Sequence, residues 1–188
     1  MEIPGPTNDA QAPHAPNRRT LLYGGVAVTA AAAGATLAWW RFQPDEATSA
    51  APASFWTSSF EDPDGQPVAM SAFQAKPLLI NFWATWCPPC VDELPLIDAF
   101  YRQHAPKGWQ VLGLAIDQPS AVRRFLARSP VTFPVAIAGL EGTELGKAFG
   151  NSAGGLPFTV VLSASGQVLD RKMGQISASD LQRWTAPK

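Results

Sequence analysis

Asn81-Phe82-Trp83-Ala84-Thr85-Trp86-Cys87-Pro88-Pro89-Cys90 decides how this chain is read, because it holds the only two cysteines among 188 residues and sets them two residues apart. Ahead of them, Leu78–Trp83 is apolar but for Asn81, and short enough to be a buried strand. Behind them, Val91, Leu94, Ile97, Phe100 and Tyr101 recur at helical spacing, which predicts a helix over 89–103. The cysteines therefore straddle a strand-to-helix turn, with Cys87 near the N-cap and Cys90 within the first turn.

That placement carries chemistry. The first N–H groups of a helix lack intrahelical acceptors, and the aligned peptide dipoles make that end partly positive. A thiolate at Cys87 is stabilised there, below the free-cysteine pKa of about 8.5. Cys90, one turn in, is placed to attack a mixed disulfide at Cys87 and release its partner. The pair then forms a two-electron dithiol/disulfide couple. A structural disulfide across so short a loop would constrain the unfolded chain little. A zinc site needs about four ligands, and the chain offers two sulfurs with His104 and the remote His14. The spacing favours a redox-active dithiol.

The run NFWATWCPPC, followed by Val91-Asp92-Glu93-Leu94-Pro95, resembles the thioredoxin superfamily, and within it the TlpA/ResA-type membrane-tethered periplasmic thiol-disulfide oxidoreductases. The resemblance covers roughly residues 55–185. It implies an α/β thioredoxin-like fold: a central mixed sheet flanked by helices, an N-terminal β-hairpin, and a helix-strand insertion at roughly 118–138. It implies a cis peptide bond before Pro157, opposite the dithiol, with Leu156 offering its backbone to a substrate strand and Trp86 lining the same surface. Pro95 inside the helix pattern removes one backbone hydrogen bond and matches a kink common in the family.

Glu93 lies three residues beyond Cys90, hence beside it on a helix surface. It reads either as a charge complementing the helix N-terminus or as the proton acceptor for the Cys90 thiol. Thioredoxins proper carry a buried Asp on the preceding strand, where this chain has Asn81. TlpA/ResA-like proteins resemble it in both the strand Asn and the helix Glu, which favours the proton-acceptor role.

Residues 1–20 are rich in Pro, Ala and Asn and read as a disordered cytoplasmic tail. Arg18-Arg19 precede an uncharged run over 21–40 closed by Trp39-Trp40-Arg41. That run is long enough to span a bilayer, and the positive-inside rule keeps the N-terminus in the cytoplasm. It reads as an anchor on the periplasmic side of the bacterial inner membrane. The alternative is a twin-arginine export signal cleaved near Thr48-Ser49-Ala50, leaving a soluble periplasmic protein. Residues 41–54 read as a polar linker, and 55–188 as one domain.

Within that domain, Phe55–Phe60 and Gln66–Met70 around Pro63-Asp64-Gly65 predict a hairpin. Strands are expected at 109–116, 132–136, 158–163 and 167–173, and helices at 121–129 and 144–149. Ser177-Ala178-Ser179-Asp180 reads as a capping box. With 14 basic and 15 acidic residues, net charge is −1, and no basic cluster points to nucleic acid.

The function expected is reduction of disulfides in other periplasmic proteins, such as apocytochrome c or copper-site proteins. Electrons would come from a membrane thiol donor, with no organic cofactor beyond the Cys87–Cys90 couple. A Cu(I) metallochaperone using the two thiolates is the alternative. A peroxidase of the peroxiredoxin kind would carry Thr and Pro ahead of its reactive cysteine, where this chain has Ala84 and Ile80.

Overall fold

The computed structural model describes residues 50–186. The tail, the 21–40 anchor or signal, and most of the expected linker lie outside them. Among the described residues, no helix is long and apolar enough to cross a membrane.

Seven strands form one sheet, in the order β2 (Pro67–Ala69), β1 (Ser59–Glu61), β5 (Val135–Ile137), β4 (Gln110–Ala115), β3 (Leu78–Trp83), β6 (Phe158–Leu162) and β7 (Val168–Met173). The interior strand β3 has all six residues buried. It pairs in parallel with β4 (Gln110–Ala115) and antiparallel with β6 (Phe158–Leu162). Parallel neighbours need a crossover, supplied here by α2 (Pro88–His104). A helix, α3 (Pro119–Leu126), and a strand, β5 (Val135–Ile137), then lead to α4 (Glu141–Ala148). The chain closes with β7 (Val168–Met173), paired antiparallel with β6, and α5 (Ala178–Thr185). This is the expected thioredoxin-like sheet. The inserted strand β5 lies parallel to β4 and touches β1 (Ser59–Glu61) at the Glu61–Ile137 pair, so it ties the N-terminal hairpin into the sheet.

Side chains alternate across a strand, and both faces of this sheet are covered. Leu78, Ile80 and Phe82 of β3 join Leu112, Leu114, Val160 and Phe149 in one core. Leu79 and Trp83 join Val111, Val161, Ile97 of α2, Val122 of α3 and Leu181 of α5 in the other, which also contains Cys87 and Cys90. Asn81 and Thr159 share the parity of this second face, and the β3–β6 register sets them opposite one another. Gly113 makes the packing beside Asn81 possible. A Cβ there would lie 3.0 Å from the Phe133 ring and 3.2 Å from the Trp83 indole nitrogen.

Element ends shift by a few residues, with the strand expected at 132–136 falling at Val135–Ile137 and the helices expected at 121–129 and 144–149 beginning at Pro119 and Glu141. Two further differences concern the start of the domain. Phe55–Phe60 was expected as a strand, but Ala53–Thr57 is a short helix, α1, and only Ser59–Glu61 is extended. Phe55 packs edge-on to Phe149 and is fully buried, and tertiary burial overrides the β-propensity of its aromatic neighbours. The hairpin turn itself forms: β2 (Pro67–Ala69) pairs with β1, Asp62 Oδ1 accepts the Asp64 and Gln66 amides, and Gly65 takes φ +82°. The domain also begins before 55. Ala51, placed in the linker by sequence, is buried, and its amide donates to the Gly166 carbonyl at 2.8 Å.

Candidate active site

Cys87 is the N-cap of α2, and Pro88 and Pro89 follow it at the first helical positions. Proline costs least there, because those N–H groups would be unpaired anyway. Cys87 and Cys90 are joined in a disulfide, with Cα atoms 5.3 Å apart. Cys87 keeps 5% of its surface and Cys90 none, so a thiol partner approaching from solvent meets Cys87. The Cys90 amide donates to the Cys87 carbonyl at 3.0 Å, and so does Val91 at 3.1 Å.

Below the disulfide sits a closed polar network. Glu93, 1% exposed, lies one turn beyond Cys90. Its Oε1 accepts from Asn81 Nδ2 at 2.7 Å, and its Oε2 accepts the Ile176 amide at 2.7 Å. Asn81 Nδ2 also donates to Thr159 Oγ1 at 3.0 Å, while Asn81 Oδ1 is buried without a partner. Burial pushes the Glu93 carboxyl above its ordinary 4.5, and the Ile176 and Asn81 hydrogen bonds pull it partly back. No ion pair reaches this carboxylate among the described residues.

The Leu156–Pro157 peptide bond is cis, as the resemblance implies, and Leu156 packs against the core cluster that holds Cys87 and Cys90. The Pro157 carbonyl accepts the Gly174 amide. Among the described residues, the Leu156 N–H and C=O have no hydrogen-bond partner. Leu156 and Trp86 line one groove of about 480 Å³, together with Ile116, Asp117, Leu140 and Thr143. Trp86 is 65% exposed and Leu140 87%. The structure thus brings Trp86 together with Leu156, and Cys87 with Cys90, while Glu93 stands behind Cys90 in the interior.

Asp117 is a site residue the sequence reading passed over. Its Oδ2 accepts from the Thr85 amide at 2.8 Å and the Thr85 hydroxyl at 2.6 Å, fixing the loop two residues before Cys87. A polar residue at the carboxyl end of a parallel strand is the signal that would have found it, since open α/β sheets place their ligands there. Leu140 carries no such signal, because an isolated leucine in a helix-start pattern reads as core. Among the described residues, no group of three or more His, Cys, Asp or Glu side chains is placed to share a metal ion.

The geometry agrees with what the chain is similar to. The family profile described as Redoxin matches residues 46–183. The thiol-disulfide oxidoreductase ResA of a Bacillus cereus strain is 30% identical over 122 residues, covering 64% of this chain and 68% of that relative. A thiol:disulfide interchange protein of the thioredoxin family from Chlorobium tepidum TLS superposes with a TM-score of 0.64 at 28% identity, covering 73% of this chain and 93% of that one. The dsbF structure from MTB gives 0.60 at 26% identity, covering 70% and 94%.

Proposed function

Because this chain belongs to the Redoxin family and is a ResA-like, thioredoxin-like thiol-disulfide oxidoreductase, we propose that it works as a reductase of disulfides in exported client proteins. The observation that carries the direction is the Cys87-Pro88-Pro89-Cys90 cap. A thiolate at Cys87 would be stabilised by the N–H groups of the next three residues, and two of these are prolines with none. The third, the Cys90 amide, already donates to the Cys87 carbonyl. The dithiol is therefore less favoured than in a strong oxidant, whose high potential reflects a stabilised reduced form.

The catalytic cycle follows from the placement. The Cys87 thiolate attacks the client disulfide, forming a mixed disulfide and releasing one client sulfur as thiolate. Cys90 gives its proton to the Glu93 carboxylate and attacks Cys87 Sγ. The Cys87–Cys90 bond forms, and the electron pair of the broken bond leaves on the second client sulfur. The client backbone pairs with the unpartnered Leu156 edge, while Trp86 and Pro157 flank the sulfurs. The couple itself carries both electrons, so no organic cofactor is required.

Exported clients, such as apocytochrome c or copper-site proteins, fit a chain whose residues 21–40 hold it on the periplasmic side of the inner membrane. Its electrons then come from a membrane thiol donor. Alkaline extraction tests the anchor: retention in the membrane pellet supports it, and release of a chain starting near Ala50 supports cleavage instead.

The reaction is tested by trapping. Cys90→Ser should accumulate mixed disulfides through Cys87, whereas Cys87→Ser should trap few or none. Alkylation of the reduced protein at mildly acidic pH should modify Cys87 first. Preferential labelling of Cys90 would overturn the assignment of attacking and resolving thiols.

A further inference from the structure

The Asn81 carboxamide has one pole saturated and the other empty. Its Nδ2 spends both hydrogens, one on Glu93 Oε1 and one on Thr159 Oγ1, and its Oδ1 is buried without a partner. Buried polar atoms are paired in the great majority of cases, so an orphan beside an ionisable group calls for an account. The groups around Glu93 come from every element packed on it. They are Cys90 one turn earlier on α2, Asn81 on β3 with Thr159 on β6 behind it, and the Ile176 amide ahead of α5. Of these only Cys90 carries a proton to give, and only once the disulfide is reduced.

The present arrangement suits a charged Glu93, because both carboxylate oxygens receive N–H donors. A proton arriving on that carboxyl turns one oxygen into an O–H, which then needs an acceptor. The Ile176 N–H belongs to the backbone and cannot become one, so Oε2 stays the accepting oxygen and the proton settles on Oε1. There it would face the Asn81 N–H. Terminal amide torsions are soft and roughly two-fold, and a half-turn of the carboxamide exchanges Nδ2 for Oδ1. The orphaned oxygen then accepts from Glu93 Oε1–H. Thr159 permits both orientations, since a hydroxyl accepts in one and donates in the other. Each orientation leaves one pole of Asn81 unpaired, so the orphan does not favour either protonation state.

We propose that Asn81 is a positioning residue that turns its carboxamide over when Glu93 takes the Cys90 proton, with Thr159 as the hydroxyl pivot that serves both orientations. This deepens the reductase reading and rests on Glu93 being the proton acceptor in it. The proton leaves Cys90 Sγ as the S–H bond breaks and forms the Oε1–H bond. No other atom changes hands within the network.

The device is tested in the oxidised full-length protein by following the Glu93 carboxyl carbon and the Asn81 side-chain amide by NMR across pH. Above the Glu93 inflection, the Asn81 Hδ2 protons should give nuclear Overhauser contacts to the Glu93 side chain. Below it those contacts should vanish, with the amide nitrogen shifting at the same inflection. Glu93→Gln should hold Asn81 in the turned orientation at every pH, because the Gln amide donates where the acid O–H would. A Glu93 titration with the Asn81–Glu93 contacts intact on both sides of it would overturn the proposal. As a second measurement, Asn81→Ala removes a donor from the charged form and an acceptor from the protonated form at once, so the inflection should move by well under the roughly one to two pH units that loss of a donor to the charged form alone would give. A rise of that full size overturns the proposal. Because the NMR readout needs no client, a protein that fails to reduce disulfides while its Asn81 turns would sink the reductase reading alone.

Discussion

Two carboxylates in this domain expose almost no surface and are driven in opposite directions. Glu93 is 1% exposed and Asp180 4%, yet burial leaves the first holding its proton more tightly than usual, while the second falls to about 2. The difference lies in their partners. Asp180 accepts the Ser177 amide and hydroxyl, an Arg183 guanidinium N–H at 2.9 Å, and has Lys172 Nζ at 3.5 Å. Glu93 has two neutral donors and no cation. A buried charge with its cations beside it is a lock, here fastening α5 to β7. A buried carboxyl given donors but no counter-charge is poised to change protonation state, as a proton acceptor must be. Desolvation accounts for Glu93 and is overridden at Asp180 by the donors it accepts.

The comparison breaks most visibly at Glu93. Glu93→Gln should slow the resolving step about 100-fold, the lower end of what positioned proton transfer supplies, with little loss of fold. Stopped-flow decay of the mixed disulfide measures it. An unchanged rate and pH profile would return Glu93 to being a helix-terminus charge. Asp180→Ala should do the reverse. Losing the capping box costs about 1–2 kcal/mol in urea unfolding, with the resolving rate unaltered.

Acidity sharpens the contrast further. Glu93 binds its proton more tightly in the folded state, so its burial weighs on stability as pH climbs from 4.5 through the raised value. Asp180 binds its proton less tightly, so its contribution is in place above 3.8 and fades as pH falls toward about 2. Urea midpoints should therefore show Glu93→Gln gaining on the wild type as pH rises, and Asp180→Asn converging with it in acid. The smallest effect belongs to Arg183→Ala. It removes a cation shared by Asp170 and Asp180 from a solvent-exposed position, and added salt should shrink the loss still more.

The same contrast shows what a sequence can carry. Ser177 and Asp180 were legible because a capping box is local: its partners stand three residues apart and the hydrogen bonds form as drawn. The cysteine pair and strand β3 were legible for the same reason. Glu93's place beside Cys90 was readable from helical spacing, but its other partners come from 12 and 83 residues away, and nothing local announces them. Asn81 was noticed only as the residue standing where thioredoxins have an Asp. Its pairing with Thr159, 78 residues on, follows from a sheet register that the sequence does not print. The helix at Ala53–Thr57 was missed because a lone buried aromatic fits strand and helix equally well.

The donors around Cys87 set the direction in which the Cys87–Cys90 couple runs. Each lost charge-assisted hydrogen bond is worth about 1.5–3 kcal/mol and two donors are missing, against up to about 2 kcal/mol for the helix dipole at a site as little exposed as Cys87. The missing donors at Pro88 and Pro89 should therefore dominate. Equilibration of the purified protein against a dithiol buffer series should place its potential at the reducing end, near thioredoxin's roughly −270 mV. A value above about −180 mV, where a disulfide isomerase lies, would contradict the reductase.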